Sequence, residues 1–315
     1  MTYRKQVAID VLQCQQCNAI LVEEDWTAPL QPLQPGRCMN CGDQRRIGVC
    51  RSCGFSEEED KQVHEELREH VDPSCTLLDA ARTASKQGRR LIALKLATAA
   101  ARQETGTNGD AARGLRVWLL SALGEKAAAL ADSKAWVESV REPSAMAWAS
   151  YGQQLQHNAF PGAAADAFQK SLQQKPDQHM IRAHRAQLLL TVGRQGQALD
   201  ETIRVFEAKD NKRAISVAID VAEKLCDLLD EQRLENEADR LLQAAGPHTV
   251  QSAALLAHSA RVAAYQGKFS EANALLDQAK RLKADLPIFG RVQIAIAEYR
   301  KKRKPEKKGW WPFGK

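Results

Sequence analysis

The chain has 315 residues, 44% of them hydrophobic and 27% charged, and a formal net charge of +6. Residues 300–315 hold 8 Lys+Arg and 1 Glu, a net of +7, so everything before them sums to −1. The high isoelectric point describes a tail, and a folded body coated in positive charge for phosphate neutralisation is excluded.

The first residues, MTYRKQVAID, contain no apolar h-region and no small-residue cleavage site, so no secretory leader is expected there. Three Cys-x-x-Cys pairs follow: Cys14/Cys17, Cys38/Cys41 and Cys50/Cys53. Both thiols of such a turn can reach one ion, and two turns complete a tetrahedral thiolate cage. A disulfide framework needs an oxidising compartment, and a redox pair needs an adjoining βαβ pattern, which is absent. One or two Zn2+ ions are therefore expected. Two ligand pairings stay open. Cys14, Cys17, Cys38 and Cys41 can share an ion, leaving Cys50 and Cys53 to find partners among His64, His70 and Cys75. Alternatively Cys38, Cys41, Cys50 and Cys53 close on one ion through the hairpin GDQRRIGV. His64 and His70 fall in SEEEDKQVHEELREHVD, a helix with Ser56 as N-cap and Glu59 completing a capping box. Six residues apart on a helix, they face different ways.

Tyr3–Leu12 and Ala19–Glu24 are rich enough in Val, Ile and Leu for short strands. Thr27–Gly36, with three prolines, reads as a loop. With its paired cysteines, the segment 1–72 resembles a zinc ribbon, a small β-rich module that metal holds folded. Nucleic acid is a common partner of zinc ribbons. Residues 1–72, however, hold 8 Lys+Arg against 13 Asp+Glu, a net of −5, which favours a protein contact.

After Pro73 the composition turns to Ala, Leu and Gln, and helix is expected through residue 287. In the stretch from Ala145, Trp148, Tyr151, Gly152, Leu155, Ala164, Phe168, Ser171 and Pro176 recur at set offsets. Small alanines recur at 93, 129, 164, 198, 238 and 272, and glycines at 88, 124, 193 and 267 precede the second helices as C-caps. The wide step from Ala198 to Ala238 is assigned to a longer loop in LLDEQRLENEA. Residues 73–287 thus resemble a tetratricopeptide repeat (TPR) array of about six helix pairs. The resemblance implies a mainly α fold, a right-handed superhelix, with Ile288–Tyr299 as a capping helix. It also implies a partner groove lined by each repeat's first helix, here Arg82, Ser85, Trp118, Ser121, Gln153, Gln156, Gln187, Leu190, Arg261 and Tyr265. The Lys/Asn clamp of chaperone-binding TPRs is absent from these positions.

No catalytic motif is found: there is no phosphate loop, no Gly-x-Ser-x-Gly and no His-Glu-x-x-His. Cys226, mid-helix in VAEKLCDLLDE, reads as a core position. The tail, RKKRKPEKKGWWPFGK, ends in Trp310, Trp311 and Phe313. It is too short and polar to span a bilayer. Its charge suits an anionic leaflet and its indoles suit the headgroup layer. Docking into a partner's pocket uses the same anchors. The expectation is a non-enzymatic, bacterial, cytoplasmic scaffold, peripheral at the inner face of a membrane, with protein or peptide in the TPR groove. The alternative is a zinc-ribbon factor associated with nucleic acid or ribosomes through its basic tail.

Overall fold

The computed structural model of the chain describes residues 76–208 and 211–303. The six paired cysteines, His64, His70, Cys75, the strands expected in 1–72, and Trp310, Trp311 and Phe313 lie outside the described residues. The described residues form thirteen α-helices and one 3-10 helix, with no strand among them. The chain divides into two compact units, Met1–Lys175 and Pro176–Lys315.

In the first unit, α1 (Leu77–Lys86) pairs with α2 (Arg90–Gln103), α3 (Gly106–Ala122) with α4 (Lys126–Glu138), and α5 (Ala145–His157) with α6 (Pro161–Gln174). The starts follow local chemistry. Thr76 and Ser144 accept the N–H of Asp79 and Ala147, which satisfies donors that a helix start leaves open. Pro161 begins α6, where no N–H is needed. The first helix α3 lies against both α1 and α5, so successive first helices share one face.

In the second unit, α7 (His179–Thr191) pairs with α8 (Gln195–Ala208) and α9 (Lys212–Glu231) with α10 (Glu235–Ala245). The 3-10 helix Gly246–Gln251 leads to α11 (Ala253–Tyr265), which pairs with α12 (Phe269–Leu282). Helix α13 (Pro287–Arg303) then packs on α11, so α7, α9, α11 and α13 form the row of first helices. It takes in the segment Ile288–Tyr299 and the first four residues of the basic stretch. Ile288, Phe289, Val292 and Ile296 are buried with Leu256, Ala260, Ala263 and Leu276.

The turns show why the pattern repeats. Gly88, Gly124, Gly193 and Gly267 have φ of 80°, 85°, 76° and 87°, the left-handed conformation that a C-cap of this kind requires. Residues 89, 125, 160, 194, 234 and 268 each donate their N–H to a carbonyl five residues back, at 2.8–3.0 Å, closing a Schellman turn in every pair. In α5/α6 and α9/α10 the left-handed residue is Ala159 (φ 62°) or Arg233 (φ 58°) instead of glycine.

Alanines 93, 129, 164, 198 and 272 are 0% exposed and Ala238 is 2% exposed: each sits where two helices cross closely. The wide spacing before Ala238 lies in the helix and not in a loop, which corrects the expectation from sequence. Helix α9 has 20 residues where α5, α7 and α11 have 13. Seven extra residues are about two turns, so α9 lengthens without rotating its buried face. Cys226 is fully buried on that face. No helix among the described residues is long and apolar enough to cross a membrane.

Candidate partner-binding faces

The face made by α1, α3 and α5 carries the first unit's expected groove residues. Arg82 is exposed and paired with Asp79 at 3.3 Å, and Ser85 is half-buried. Trp118 is 50% exposed on α3, a large apolar surface left open to solvent. One turn on, Ser121 Oγ lies 3.2 Å from His157 Nδ1, tying α3 to α5. Gln153 is exposed and Gln156 half-buried, while the intervening Gln154 is buried. Met146 is 44% exposed on the same helix, and a Cβ at Gly114 of α3 would lie 3.3 Å from its sulfur. The face is mixed: an indole, a thioether, carboxamides and the open Arg82–Asp79 ion pair.

In the second unit, Gln187 is exposed and Leu190 half-buried on α7. Tyr265 is 40% exposed and meets the Tyr299 ring edge-on at 5.6 Å. Arg261 is only 7% exposed and is ion-paired with Asp230 of α9. Helix α13 closes over this part of the face. Arg291 donates to Asp227 at 2.7 Å, and the Tyr299 hydroxyl donates to Glu235 at 2.9 Å. Burial, and then the hydrogen bond to Glu235, push the Tyr299 hydroxyl up to about 12. Burial also raises the Cys226 thiol, with Asp230 and Asp227 adding to the shift, so the sulfur is held as a neutral thiol. Among the described residues no group of three His, Cys, Asp or Glu is placed to hold a metal.

Sequence reasoning missed a polar interface inside two helix pairs. In α7/α8, Arg182 and Arg185 both donate to Glu201, at 2.6 and 2.5 Å, and all three are buried. Arg182 also donates to the Pro176 carbonyl at 2.7 Å. In α3/α4, Arg116 pairs with Asp132 at 2.9 Å in the equivalent place. Burial raises the Asp132 carboxyl against the pull of Arg116 and Arg113. A signal was present: Arg185 and Arg116 each stand sixteen residues before the acid, and a hydroxyl residue follows that acid, Thr202 or Ser133. That hydroxyl donates back to its own helix, to the Ala198 or Leu130 carbonyl.

No family model and no curated protein matches the chain. Two solved TPR structures are similar to it. One is YrrB, described as a TPR protein with an unusual peptide-binding site. It is 18% identical, the match covering 58% of this chain and 91% of YrrB with a TM-score of 0.46. The other is a tetratricopeptide repeat protein from Parabacteroides merdae ATCC 43184. It is 13% identical, with 70% of this chain and 97% of that one covered and a TM-score of 0.39. The helix-pair architecture stands on this chain's own turns, buried alanines and helix contacts.

Proposed function

We propose that the chain is a non-enzymatic adaptor that binds protein or peptide partners on the first-helix faces of its helix pairs. The observation that supports this most is the first unit's face, where three adjacent helices leave Trp118 of α3 half-exposed and Gln153 of α5 exposed. An indole supplies contact area at low entropic cost, and carboxamides can hydrogen-bond the backbone of an extended peptide. A photo-crosslinking residue at position 118 or 153 should capture a partner in the source cells. The same residue at Arg240, on the second helix α10, should not. Equal capture from all three positions would remove the reading.

The two ends complete the adaptor in this reading. Cys14, Cys17, Cys38, Cys41, Cys50 and Cys53, with His64, hold one or two zinc ions and so fold residues 1–72. The basic tail, through Trp310, Trp311 and Phe313, tethers the cytoplasmic chain to an anionic membrane surface. A chain cut after Arg303 keeps Pro287–Arg303 of α13. Full-length protein should sediment with anionic vesicles in a salt-sensitive way, and the 1–303 chain should not. Anaerobically purified protein should carry at least one zinc per chain, and less than about half an ion would end the metal assignment.

A further inference from the structure

At the seam between α3 and α5 one helix lacks a side chain and the other fills its place. Gly114 and Trp118, four residues apart, share one face of α3. A Cβ at Gly114 would lie 3.3 Å from Met146 Sδ, 3.7 Å from its Cγ and 3.8 Å from the Cη2 rim of Trp136. The Met146 thioether of α5 therefore lies in the space that glycine leaves on α3, beside the edge of a buried indole. Met146 is nonetheless 44% exposed. Its side chain is unbranched and adaptable, so it can turn out of this seat into solvent at little cost. What it uncovers is apolar: the Gly114 backbone and the Trp136 rim, one helical turn from the open ring of Trp118.

The charges around the seam are already matched. From Ala145 to His157, α5 contains no Asp, Glu, Lys or Arg. The charged residues of α3 are Asp110, Arg113 and Arg116, and each has its partner: Arg113 lies 3.7 Å from Asp110, and Arg116 lies 2.9 Å from Asp132 of α4. Ser121 and His157 meet each other across the seam. A charged side chain pressed against this surface would lose water and gain no counter-ion, whereas an apolar one loses nothing by leaving water. The seam thus selects against charge as well as for apolar contact. We propose that the partner anchors here by one aliphatic or aromatic side chain, which takes the place of the Met146 thioether over Gly114, and that the residues flanking this anchor are uncharged. The proposal rests on the partner-binding reading of the first unit's face and states what that face selects.

Gly114 is then the residue that sets specificity, because any side chain there fills the seat from within. The displaced thioether sets the size of the anchor, and Leu, Met and Phe come nearest to it. Gln153 lies two turns along α5 from Met146 and is exposed, leaving its carboxamide for the backbone of the same segment. With no ion pair formed on binding, the association is insensitive to salt, unlike the attachment of the basic tail to anionic vesicles.

The probe is a peptide selected on the full-length chain from a phage-displayed random library, then synthesised and measured by calorimetry. The selected sequences should share one aliphatic or aromatic residue with uncharged neighbours, and affinity should hold steady from low to high salt. Gly114→Leu, which fills the seat and moves only the flexible end of Met146, should keep its helical circular dichroism and weaken the peptide by about tenfold to a hundredfold. Met146→Ala, which leaves the seat open, should bind at least as well as wild type. If Gly114→Leu does not fold, Gly114→Ala takes its place and should weaken the peptide in the same direction by less. A charged consensus whose affinity falls steeply with salt would overturn the proposal, as would full affinity in the Gly114 variants. Binding that survives those variants but is lost in Trp118→Ala would remove the seat and leave the face as the partner site. Binding that survives all of them, or a selection that enriches nothing, would remove both.

Discussion

Helix pairs α5/α6 and α7/α8 share a spacing of 34 residues and close their interiors with opposite chemistry. In α5/α6 the interior is aromatic. Phe168 is fully buried against Gly152, where an added Cβ would lie 2.5 Å from two ring carbons. Trp148 packs toward Tyr151 and carries the Lys170 ammonium 4.1 Å above its ring. Thirty-four residues on, Trp148 becomes Arg182, Tyr151 becomes Arg185 and Phe168 becomes Thr202, with Glu201 inserted between the two guanidiniums. The backbone frame needs only a small residue at the crossing, Ala164 or Ala198, and a left-handed turn residue. What fills the space beside the crossing is free to be an aromatic ring or an ion triad. The two solutions fail differently. A ring lost leaves a cavity; an acid lost leaves two buried cations.

The largest effect should therefore come from Glu201→Ala. It strands Arg182 and Arg185, both under a tenth exposed, and should cost about 3–5 kcal/mol by urea denaturation. Replacing all three members, as Arg182→Met, Arg185→Leu and Glu201→Ala, should recover most of that loss. A buried ion triad exchanged for apolar side chains is often neutral or stabilising. If the triple variant is as unstable as Glu201→Ala, the triad holds the pair together by more than charge compensation. Next in size is Gly152→Ala. Its methyl must displace the Phe168 ring, which the packed interior resists, and the expected cost is about 1–3 kcal/mol. The matching position in α7/α8 is already Ala186, which is buried. Phe168→Thr should relieve the clash of the Gly152→Ala chain, and a double-mutant cycle would read that coupling.

The repeat frame was legible because its markers are small residues with one use each. Glycine before a second helix signals a left-handed cap, and alanine at a near-34 step signals a crossing. Four glycines and six alanines sit where those rules put them. The ion triad was not legible because arginine is ordinarily a surface residue; only the Arg-to-acid step of sixteen, seen twice, marks it. The lengthened α9 was misassigned because QRLENE is polar and reads as loop. In the fold Glu235 and Glu237 occupy the first turn of α10, where negative charge suits the helix dipole. Arg261 was placed on an open groove by analogy with a middle repeat, but α13 follows directly and Arg291 and Tyr299 reach across it. The cysteine pairs, His64 and the tail are legible as chemistry and lie outside the described residues.

The smallest effect separates the frame from its filling most cleanly. Ala159 and Arg233 hold the left-handed turn positions that glycine holds in the other four pairs, at φ of 62° and 58°. A side chain in that region costs about 1–2 kcal/mol, because Cβ approaches the following carbonyl. Ala159→Gly and Arg233→Gly remove this strain but give the unfolded chain more freedom, so each should stabilise by about 0.5–1 kcal/mol. Both positions are exposed, so no packing is lost. The two changes lie in different units and should add. The gain should appear whether the pair is closed by rings, as in α5/α6, or by the aliphatic interior of α9/α10, where Leu225, Leu229 and Leu241 are buried. A gain at Ala159 with none at Arg233 would mean that the long α9 relaxes its own turn, and that frame and filling are not independent there.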